Sequence, residues 1–278
     1  MTARSNVVET WYDAHAEAEE TRLDEGRLEF EVTMRVIESC LSKLQLEKAK
    51  ILDNGGGPGR YAIALAKKGH SVTLSDLSGK SLDIARQNAD RANVRLDAVV
   101  HANALDVPLH PALSGQHATF NLVLCLGPLY HLIAPEDRAT VIGNCIAMAK
   151  PRGYILLAYV TIFAHLRDMA SRDPCRLSKE WDFYESYLQS GEYTRNPNTE
   201  SYHVYPADLA RQLLPFQGEV IVEKTVSCEG FLGSAGAKVI ATLNDEEANR
   251  WVDVVMKSAD AVETRNSADH LLVVLRKL

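Results

Sequence analysis

The 278-residue sequence lacks long hydrophobic runs and paired cysteines. No apolar stretch approaches the roughly 20 residues that a membrane-spanning helix needs, so we expect no membrane partner. The N-terminus is polar and acidic, without the hydrophobic region of a signal peptide. The five cysteines are scattered and include no C-x-x-C pair. This pattern argues against a metal site and favours a reduced, cytoplasmic protein.

Basic residues are also in short supply. Thirty lysines and arginines stand against 37 aspartates and glutamates, which gives a net charge of −7. Proteins that follow nucleic-acid phosphates usually present a basic face, so we expect no nucleic-acid partner. The 46% hydrophobic and 24% charged content is ordinary for a globular protein. We expect a monomer or a homodimer with a small-molecule ligand.

The strongest feature that is present is the stretch ILDNGGGPGRYA, residues 51–62. An apolar strand ends at Asp53, and four glycines follow before the sequence becomes helical: Gly55, Gly56, Gly57 and Gly59. Glycine has no Cβ and accepts positive φ, so such a strand-to-helix turn lets the backbone approach a ligand closely. An acid ahead of the glycines would repel a pyrophosphate but suits a cationic amino group. The turn therefore indicates an amino acid joined to a nucleoside rather than a dinucleotide.

Strand and helix patterns alternate from residue 50 to residue 160, which predicts an α/β fold with a Rossmann-like, doubly wound parallel sheet. Residues 162–204 interrupt this alternation and are rich in aromatic and polar residues, so we interpret them as a substrate cap. Residues 1–47 read as mostly helical, and we interpret them as a lid with Tyr12 and Arg22 facing inward. The alternative is that the aromatics of this segment only fasten it to the body.

Two further polar positions follow predicted strands. Asp76 ends the second strand, where a carboxylate can accept two hydrogen bonds from a ribose diol, and Leu77 could cover an adenine face. Asn103 ends the third strand, where its amide and the N–H of Ala104 can contact an adenine edge. The alternatives are that Asp76 only caps a helix and that Asn103 is an ordinary turn residue.

The segment LGPLYHL, residues 126–132, follows the fourth predicted strand. The carboxyl ends of the first and fourth strands flank the point where strand order reverses in a doubly wound sheet, which is where ligands bind. Tyr130 and His131 should therefore lie beside the reacting group. An imidazole readily takes a proton near neutral pH, so His131 is a candidate general base. The alternative is a structural histidine that holds the loop.

Together these pieces resemble the motif set of class I S-adenosylmethionine-dependent methyltransferases. More narrowly, they resemble a small-molecule group with GGGPGRYA and GPLYHL motifs and a YDxxAxxExxRL-like N-terminal segment. The resemblance implies a seven-stranded sheet whose seventh strand is antiparallel, and residues 270–277 are placed for that strand. It also makes residues 48–278 the S-adenosylmethionine-binding methyltransferase domain, with the N-terminal helical lid before it and an insertion after the fifth strand.

The resemblance also implies roles for individual residues. Asp76 and Leu77 would bind the ribose and adenine, while Asn103 and Ala104 would meet the adenine edge. The methionine part of the cofactor would lie against the end of the first strand, the glycines and the end of the fourth strand: Asp53, Gly55, Gly57, Gly59 and Leu126. The sequence departs from the pattern at Asn103, where many relatives carry Asp, and at Asn54, where an apolar residue is commoner.

The expected function is methyl transfer from S-adenosylmethionine to a small-molecule N, O or S acceptor by in-line displacement, which mainly needs alignment and exclusion of water. His131 and Tyr130 are the candidate catalytic residues where the acceptor must lose a proton. Tyr12, Arg22 and Tyr130 are the candidate lid and acceptor contacts. Two alternatives stay open: a catalytically silent S-adenosylmethionine-binding partner or regulatory protein, and a methyltransferase that acts on RNA or protein.

Overall fold

The computed structural model describes residues 7–16, 26–195 and 200–278. The strands are β1 (Lys50–Asn54), β2 (Ser71–Asp76), β3 (Ala98–His101), β4 (Phe120–Cys125), β5 (Ala149–Val160), β6 (Glu192–Tyr193), β7 (Ser201–Tyr202), β8 (Val220–Ser227) and β9 (His270–Lys277). The helices are α1 (7–16), α2 (Arg27–Leu44), α3 (Arg60–Lys67), α4 (Gly79–Arg91), α5 (Pro135–Met148), α6 (Ile162–Arg172), α7 (Arg176–Lys179), α8 (Trp181–Ser190), α9 (Gly233–Ala241) and α10 (Asp245–Met256). Short 3₁₀ segments join them at Val107–Leu109, Ser114–Gln116, Pro128–His131, Pro206–Phe216 and Val262–Thr264.

The main sheet has seven strands in the order β3-β2-β1-β4-β5-β9-β8. The first five are parallel, and β9 runs antiparallel to both of its neighbours, β5 and β8. The predicted seven-stranded sheet with an antiparallel last strand is therefore confirmed. Strand order reverses between β1 and β4, so the carboxyl ends of these two strands open onto one crevice.

Helices cover both faces of the sheet, which makes it doubly wound. Neighbouring strand residues point to opposite faces, so Ile51 packs in the core under α2, α3 and α4, whereas Leu52 packs in the core beneath α5. Both side chains are fully buried. Strands that are apolar on both faces give the continuous hydrophobic runs of the sequence. In the described part of the chain, no helix combines the length and apolarity that crossing a membrane requires.

The 162–204 insertion, which interrupts the alternation of strands and helices in the sequence, has regular structure of its own. It forms α6, α7 and α8 and a small hairpin of β6 and β7. Its aromatic residues pack on one another around the fully buried side chains of Tyr184 and Tyr187. Phe183, Tyr184, Tyr187 and Leu188 recur at helical spacing, so the sequence did contain the signal. The polar residues between them obscured it.

Candidate functional site

A cavity of about 300 Å³ lies at the carboxyl ends of β1, β2 and β4. This is the crevice that the reversal of strand order creates. The predicted site residues that line it come from five separate segments: Tyr12, Asp53, Gly55, Gly57, Asp76, Leu77, Asn103, Ala104, Leu126, Tyr130 and His131. The fold thus brings together residues that are up to 119 positions apart in the chain. Arg22 lies outside the described residues.

The glycine turn between β1 and α3 packs directly against the loop that follows β4. Gly55 has a φ of +74°, and a Cβ at this position would collide with the ring of Pro128. A Cβ on Gly127 would lie 3.0 Å from the carbonyl oxygen of Gly55. Glycine at these positions is what allows the two loops to form one wall of the cavity.

Gly59 is not among the residues that line the cavity, and its role in cofactor binding stays a prediction. Its φ of +84° begins α3, and a Cβ here would lie 3.2 Å from that of Ala85 on α4. The residue is therefore needed for a left-handed turn and for close packing of two helices. The regular spacing of the glycines could not separate this role from contact with a ligand.

Asp53 is an unpartnered acid in the wall of the cavity. The residue is only 1% exposed, and within the described residues neither carboxylate oxygen has a hydrogen bond of normal geometry. Burial, followed by the charge of neighbouring Asp76, raises its pKa to about 7, and the backbone of Ala62 offsets this only in part. A buried carboxylate without a partner is costly. A cationic group in the cavity would remove that cost.

Asp76 joins the glycine turn to the start of α4. One carboxylate oxygen accepts a hydrogen bond from the Gly57 N–H at 2.8 Å, and the other accepts one from the Ser78 N–H at 2.8 Å. Burial raises the pKa of Asp76, and these amide donors oppose the rise. Asp76 therefore does bind the backbone at the start of α4, as its alternative role predicts. Each oxygen retains acceptor capacity toward the cavity, so a structural role and a binding role are compatible.

Asn103 forms the turn that was the alternative to its binding role. Its side-chain oxygen accepts a hydrogen bond from the Leu105 N–H at 3.0 Å, and its backbone oxygen accepts one from Asp106. Any contact from the Asn103 oxygen to adenine would therefore use its remaining lone pair. Ala104 and Leu77 line the cavity beside it, so adenine binding at this edge stays a prediction.

Helix α1 is held across the cavity by polar contacts from three of its residues. The Tyr12 hydroxyl and the Nε2 atom of His131 are hydrogen-bonded at 2.6 Å. Asp13 accepts hydrogen bonds from the Ser78 hydroxyl at 2.6 Å and from the Lys80 N–H at 3.2 Å, close to the position of Asp76. Glu9 lies 3.2 Å from the ring of His101. Val7 and Val8 line the cavity as well. Helix α1 is therefore fastened to the rest of the protein and also covers the cavity.

Tyr130 and His131 lie in the 3₁₀ segment after β4, and both line the cavity. The Tyr130 and His131 ring centroids are 4.6 Å apart, and the Tyr12 ring meets His131 edge-on at 5.3 Å. His131 is therefore held between two tyrosines. This placement is compatible with both of its proposed roles, as a base and as a loop anchor, and its role stays a prediction.

Sequence reasoning missed several lining residues. Arg60 follows the glycine turn, and its guanidinium lies 4.3 Å from the centroid of the Phe30 ring. Asp137 enters from the first turn of α5, and Glu200 from the segment just before β7. Glu200 is the lone cavity residue among the described part of the 162–204 insertion. No motif marks these two acids, since only the tertiary fold brings them to the cavity.

The chain is similar to known proteins in sequence and in fold. Residues 51–153 match the family model described as a methyltransferase domain. The ubiquinone biosynthesis O-methyltransferase of Photobacterium profundum is 34% identical over 109 residues, 39% of this chain and 43% of that protein. The tRNA 5-carboxymethoxyuridine methyltransferase of Escherichia coli strain K12 is 34% identical over 135 residues, 48% of this chain and 49% of that protein. The chain thus spans about half the length of the curated relatives it matches.

Among solved structures, the magnesium protoporphyrin IX methyltransferase of Synechocystis PCC 6803 with bound SAH aligns with a TM-score of 0.61. The alignment covers 99% of this chain and 100% of that chain at 13% identity, so it shows a common fold. Residues 51–153 are thus similar to a methyltransferase domain, and the chain shares the fold of this solved structure.

Proposed function

We propose that the protein is a methyltransferase that transfers a methyl group from S-adenosylmethionine to a small-molecule N, O or S acceptor. The observation that carries the proposal is the buried, unpartnered carboxylate of Asp53 in the cavity at the reversal of strand order. A methionine amino group is a cation of the right size to neutralise it. In a cavity with no ligand to bind, a buried carboxylate would be expected to have a hydrogen-bond partner within the protein.

The residues present fit the proposed cofactor. Asp53 would hold the methionine amino group, with Leu126 beside the methionine chain. Asp76 would accept from the ribose hydroxyls, using the capacity left by its two amide donors. Leu77 and Ala104 would lie along the adenine. The bound cofactor supplies a methyl group on a sulfonium sulfur, which is an activated leaving group.

The chain's own part in the reaction is positioning and proton removal. Helix α1, held by its polar contacts, would keep water out of the cavity and help to hold the two substrates in line. His131 would take the proton of a hydroxyl or ammonium acceptor, with Tyr130 as the other candidate. The hydrogen bond to Tyr12 would fix the orientation of the imidazole.

A second candidate acts on RNA, and the similarity to the tRNA methyltransferase favours it. The balance of 37 acidic against 30 basic residues supports the small-molecule proposal instead. A third candidate, a catalytically silent binding partner or regulator, predicts cofactor binding without turnover. The retained acids of the cavity, Asp53 and Asp76, support an active enzyme without distinguishing it from a silent binder.

We also propose the organisation of the chain around this site. Residues 1–47 would act as the lid, residues 48–278 as the methyltransferase domain, and residues 162–204 as a cap that meets the acceptor through Glu200. A cytoplasmic location is supported by five free cysteines, all in the described ranges, since free thiols are typical of reducing compartments. A monomer or homodimer without a nucleic-acid or membrane partner completes the proposal.

The test is calorimetric titration of the full chain with S-adenosylmethionine, followed by an assay for S-adenosylhomocysteine release with a library of amines, phenols, carboxylates and thiols. We expect binding, and turnover with at least one acceptor. Turnover with unmodified tRNA but with no small molecule would favour the RNA candidate. Binding without turnover on any acceptor would favour the silent partner, and an absence of binding would contradict the proposal altogether.

A further inference from the structure

We infer that two side chains of α5, Arg138 and Asn144, are positioning residues for the proposed methyl transfer. Neither is among the residues that line the cavity, so both act through the loops that they hold. Arg138 holds the loop after β4, and Asn144 holds the loop after β3. The inference rests on the proposed function and gives each residue a separate effect, on turnover for Arg138 and on binding of S-adenosylmethionine for Asn144.

Arg138 ends the first turn of α5, and its side chain reaches back to the loop that precedes the helix. Its Nη1 atom donates hydrogen bonds to the backbone oxygens of Leu132 and Ile133, both at 2.7 Å. These two residues line the cavity and directly follow the 3₁₀ segment Pro128–His131. Side chains of a helix lean toward its N-terminus, so an arginine at this position is suited to hold carbonyl groups just before the helix.

The Arg138 guanidinium is a buried cation with neutral partners. The residue is 3% exposed, and burial lowers its pKa, although arginine stays charged in proteins. Among the described residues it forms no ion pair with a carboxylate, and its Nε atom donates to the Oε1 atom of Gln212 at 3.2 Å. Because burying a charge costs free energy, stability alone does not account for an arginine here. A guanidinium does supply several donors in one fixed plane, which suits the fixing of a loop.

The same guanidinium connects the loop after β4 to the 162–204 insertion. The ring of Tyr202, on β7, lies over it, with 3.6 Å between the ring centroid and the Cζ atom. Strand β7 also packs against the 3₁₀ segment that carries Tyr130 and His131. Small errors in alignment strongly slow an in-line transfer. A displaced Arg138 should therefore lower turnover through the placement of these two residues.

Asn144 makes an equivalent contact with the loop after β3. Its Nδ2 atom donates hydrogen bonds to the backbone oxygens of Ala104 and Leu105, at 3.0 and 2.8 Å. Both residues line the cavity, and Ala104 is a predicted contact of adenine. This contact fixes the loop after β3 and not the loop after β4. Its loss should therefore weaken cofactor binding and leave the turnover of the saturated enzyme close to that of the wild type.

The test measures kcat and the affinity for S-adenosylmethionine in variants of the full chain, by S-adenosylhomocysteine release and calorimetric titration. Arg138→Lys keeps the charge but loses the planar fork and the stacking on Tyr202, and it should lower kcat about tenfold. Its affinity for S-adenosylmethionine should stay within about twofold of the wild type. Asn144→Ala should weaken that affinity about fivefold while kcat at saturating cofactor stays within about twofold.

Three further variants separate positioning from a general loss of stability. Tyr202→Leu should lower kcat as Arg138→Lys does, and Tyr202→Phe, which keeps the ring over the guanidinium, should retain most of the turnover. Arg167→Lys is the matched control, because Arg167 also donates to backbone oxygens, those of Asn266 and Ala268, and none of these three residues lines the cavity. It should lower the melting temperature without lowering kcat.

A double variant tests whether Arg138 acts through the loop that it holds. Arg138→Lys should add little to the loss of turnover in His131→Ala, because the side chain that it places is then absent. Losses that multiply, or a parallel fall of kcat and affinity in Arg138→Lys, would overturn the assignment of Arg138. Unchanged affinity in Asn144→Ala would overturn that of Asn144. If the wild type binds no S-adenosylmethionine or methylates no acceptor, the proposed function itself fails and the inference falls with it.

Discussion

The 162–204 insertion and the glycine turn differ in whether their buried polar groups have hydrogen-bond partners. In the insertion, the Tyr187 hydroxyl and the Nδ1 atom of His203 are hydrogen-bonded at 2.7 Å, and Ser201 lies 3.0 Å from the Nε2 atom. Burial lowers the pKa of His203 to about 3, so the ring stays neutral. At the glycine turn, Asp53 is 1% exposed, and among the described residues its carboxylate has no such partner. The paired groups of the insertion stabilise a small core, whereas we propose that the carboxylate of Asp53 binds a ligand.

The largest expected effect tests the glycine-turn side. Asp76→Ala should weaken binding of S-adenosylmethionine by about 100-fold, because hydrogen bonds to a charged group contribute roughly 1.5–3 kcal/mol each. It should also lower the melting temperature by a few degrees, since the Gly57 and Ser78 amides lose their acceptor. Calorimetric titration and thermal unfolding measure the two effects. Asp90→Ala, an exposed acid on α4, is the control, and unchanged affinity in Asp76→Ala would contradict this assignment.

A second change separates chemistry from binding within the cavity. His131→Ala should lower kcat by roughly 100-fold, which is typical for loss of a general base, while the affinity for S-adenosylmethionine stays close to that of the wild type. Steady-state kinetics and titration give the two numbers. His117→Ala, whose ring bonds the Pro108 carbonyl away from the cavity, is the control. Parallel loss of turnover and affinity would instead mean that His131 only holds the loop.

A third change tests whether the buried carboxylate of Asp53 destabilises the ligand-free protein. Burial raises its pKa to about 7 from an ordinary value of 3.8, so the folded protein binds this proton more tightly than the unfolded chain. The free energy of unfolding therefore falls as the pH rises from about 4 through 7. Asp53→Asn should remove that fall and stabilise the ligand-free protein by roughly 1–3 kcal/mol at pH 8. Denaturant unfolding measured at several pH values would refute this if the variant were less stable throughout.

In the 162–204 insertion, removing a buried polar group should lower the stability instead of raising it, and this is the smallest of the expected effects. Tyr187→Phe removes the hydroxyl that partners His203 and should cost about 1 kcal/mol of stability. Affinity for S-adenosylmethionine should not change, since neither residue lines the cavity. A gain of stability here, or a loss of affinity, would erase the contrast between the two regions.

The part of the site built from backbone geometry was predictable from the sequence. The order of apolar strand, acid and glycines, together with Asp76 one strand later, fixes local structure that hardly depends on the rest of the chain. The same holds for Ser78, the N-cap residue of α4, whose hydroxyl accepts a hydrogen bond from the Ser81 N–H at 3.1 Å. Such features are short-range, so sequence spacing determines them.

The acceptor side was less predictable because distant segments meet there. Asp137 and Glu200 carry no motif, and the contact of Tyr12 with His131 joins residues 119 positions apart. The spacing of the glycines likewise did not reveal that Gly59 packs closely against Ala85 of α4. Helix α9 was also missed, because it contains Gly233 and Gly236, and glycine disfavours helix formation.

The central proposal is that the carboxylate of Asp53 binds the cationic amino group of S-adenosylmethionine. The most direct measurement is calorimetric titration of the wild type and Asp53→Asn with S-adenosylmethionine between about pH 5.5 and 7. Because the carboxylate must lose its proton to pair with the amino group, wild-type affinity should fall by up to about tenfold per pH unit below 7. Asp53→Asn should bind weakly and without this dependence. Equal affinity and equal pH dependence in the two proteins would contradict the account.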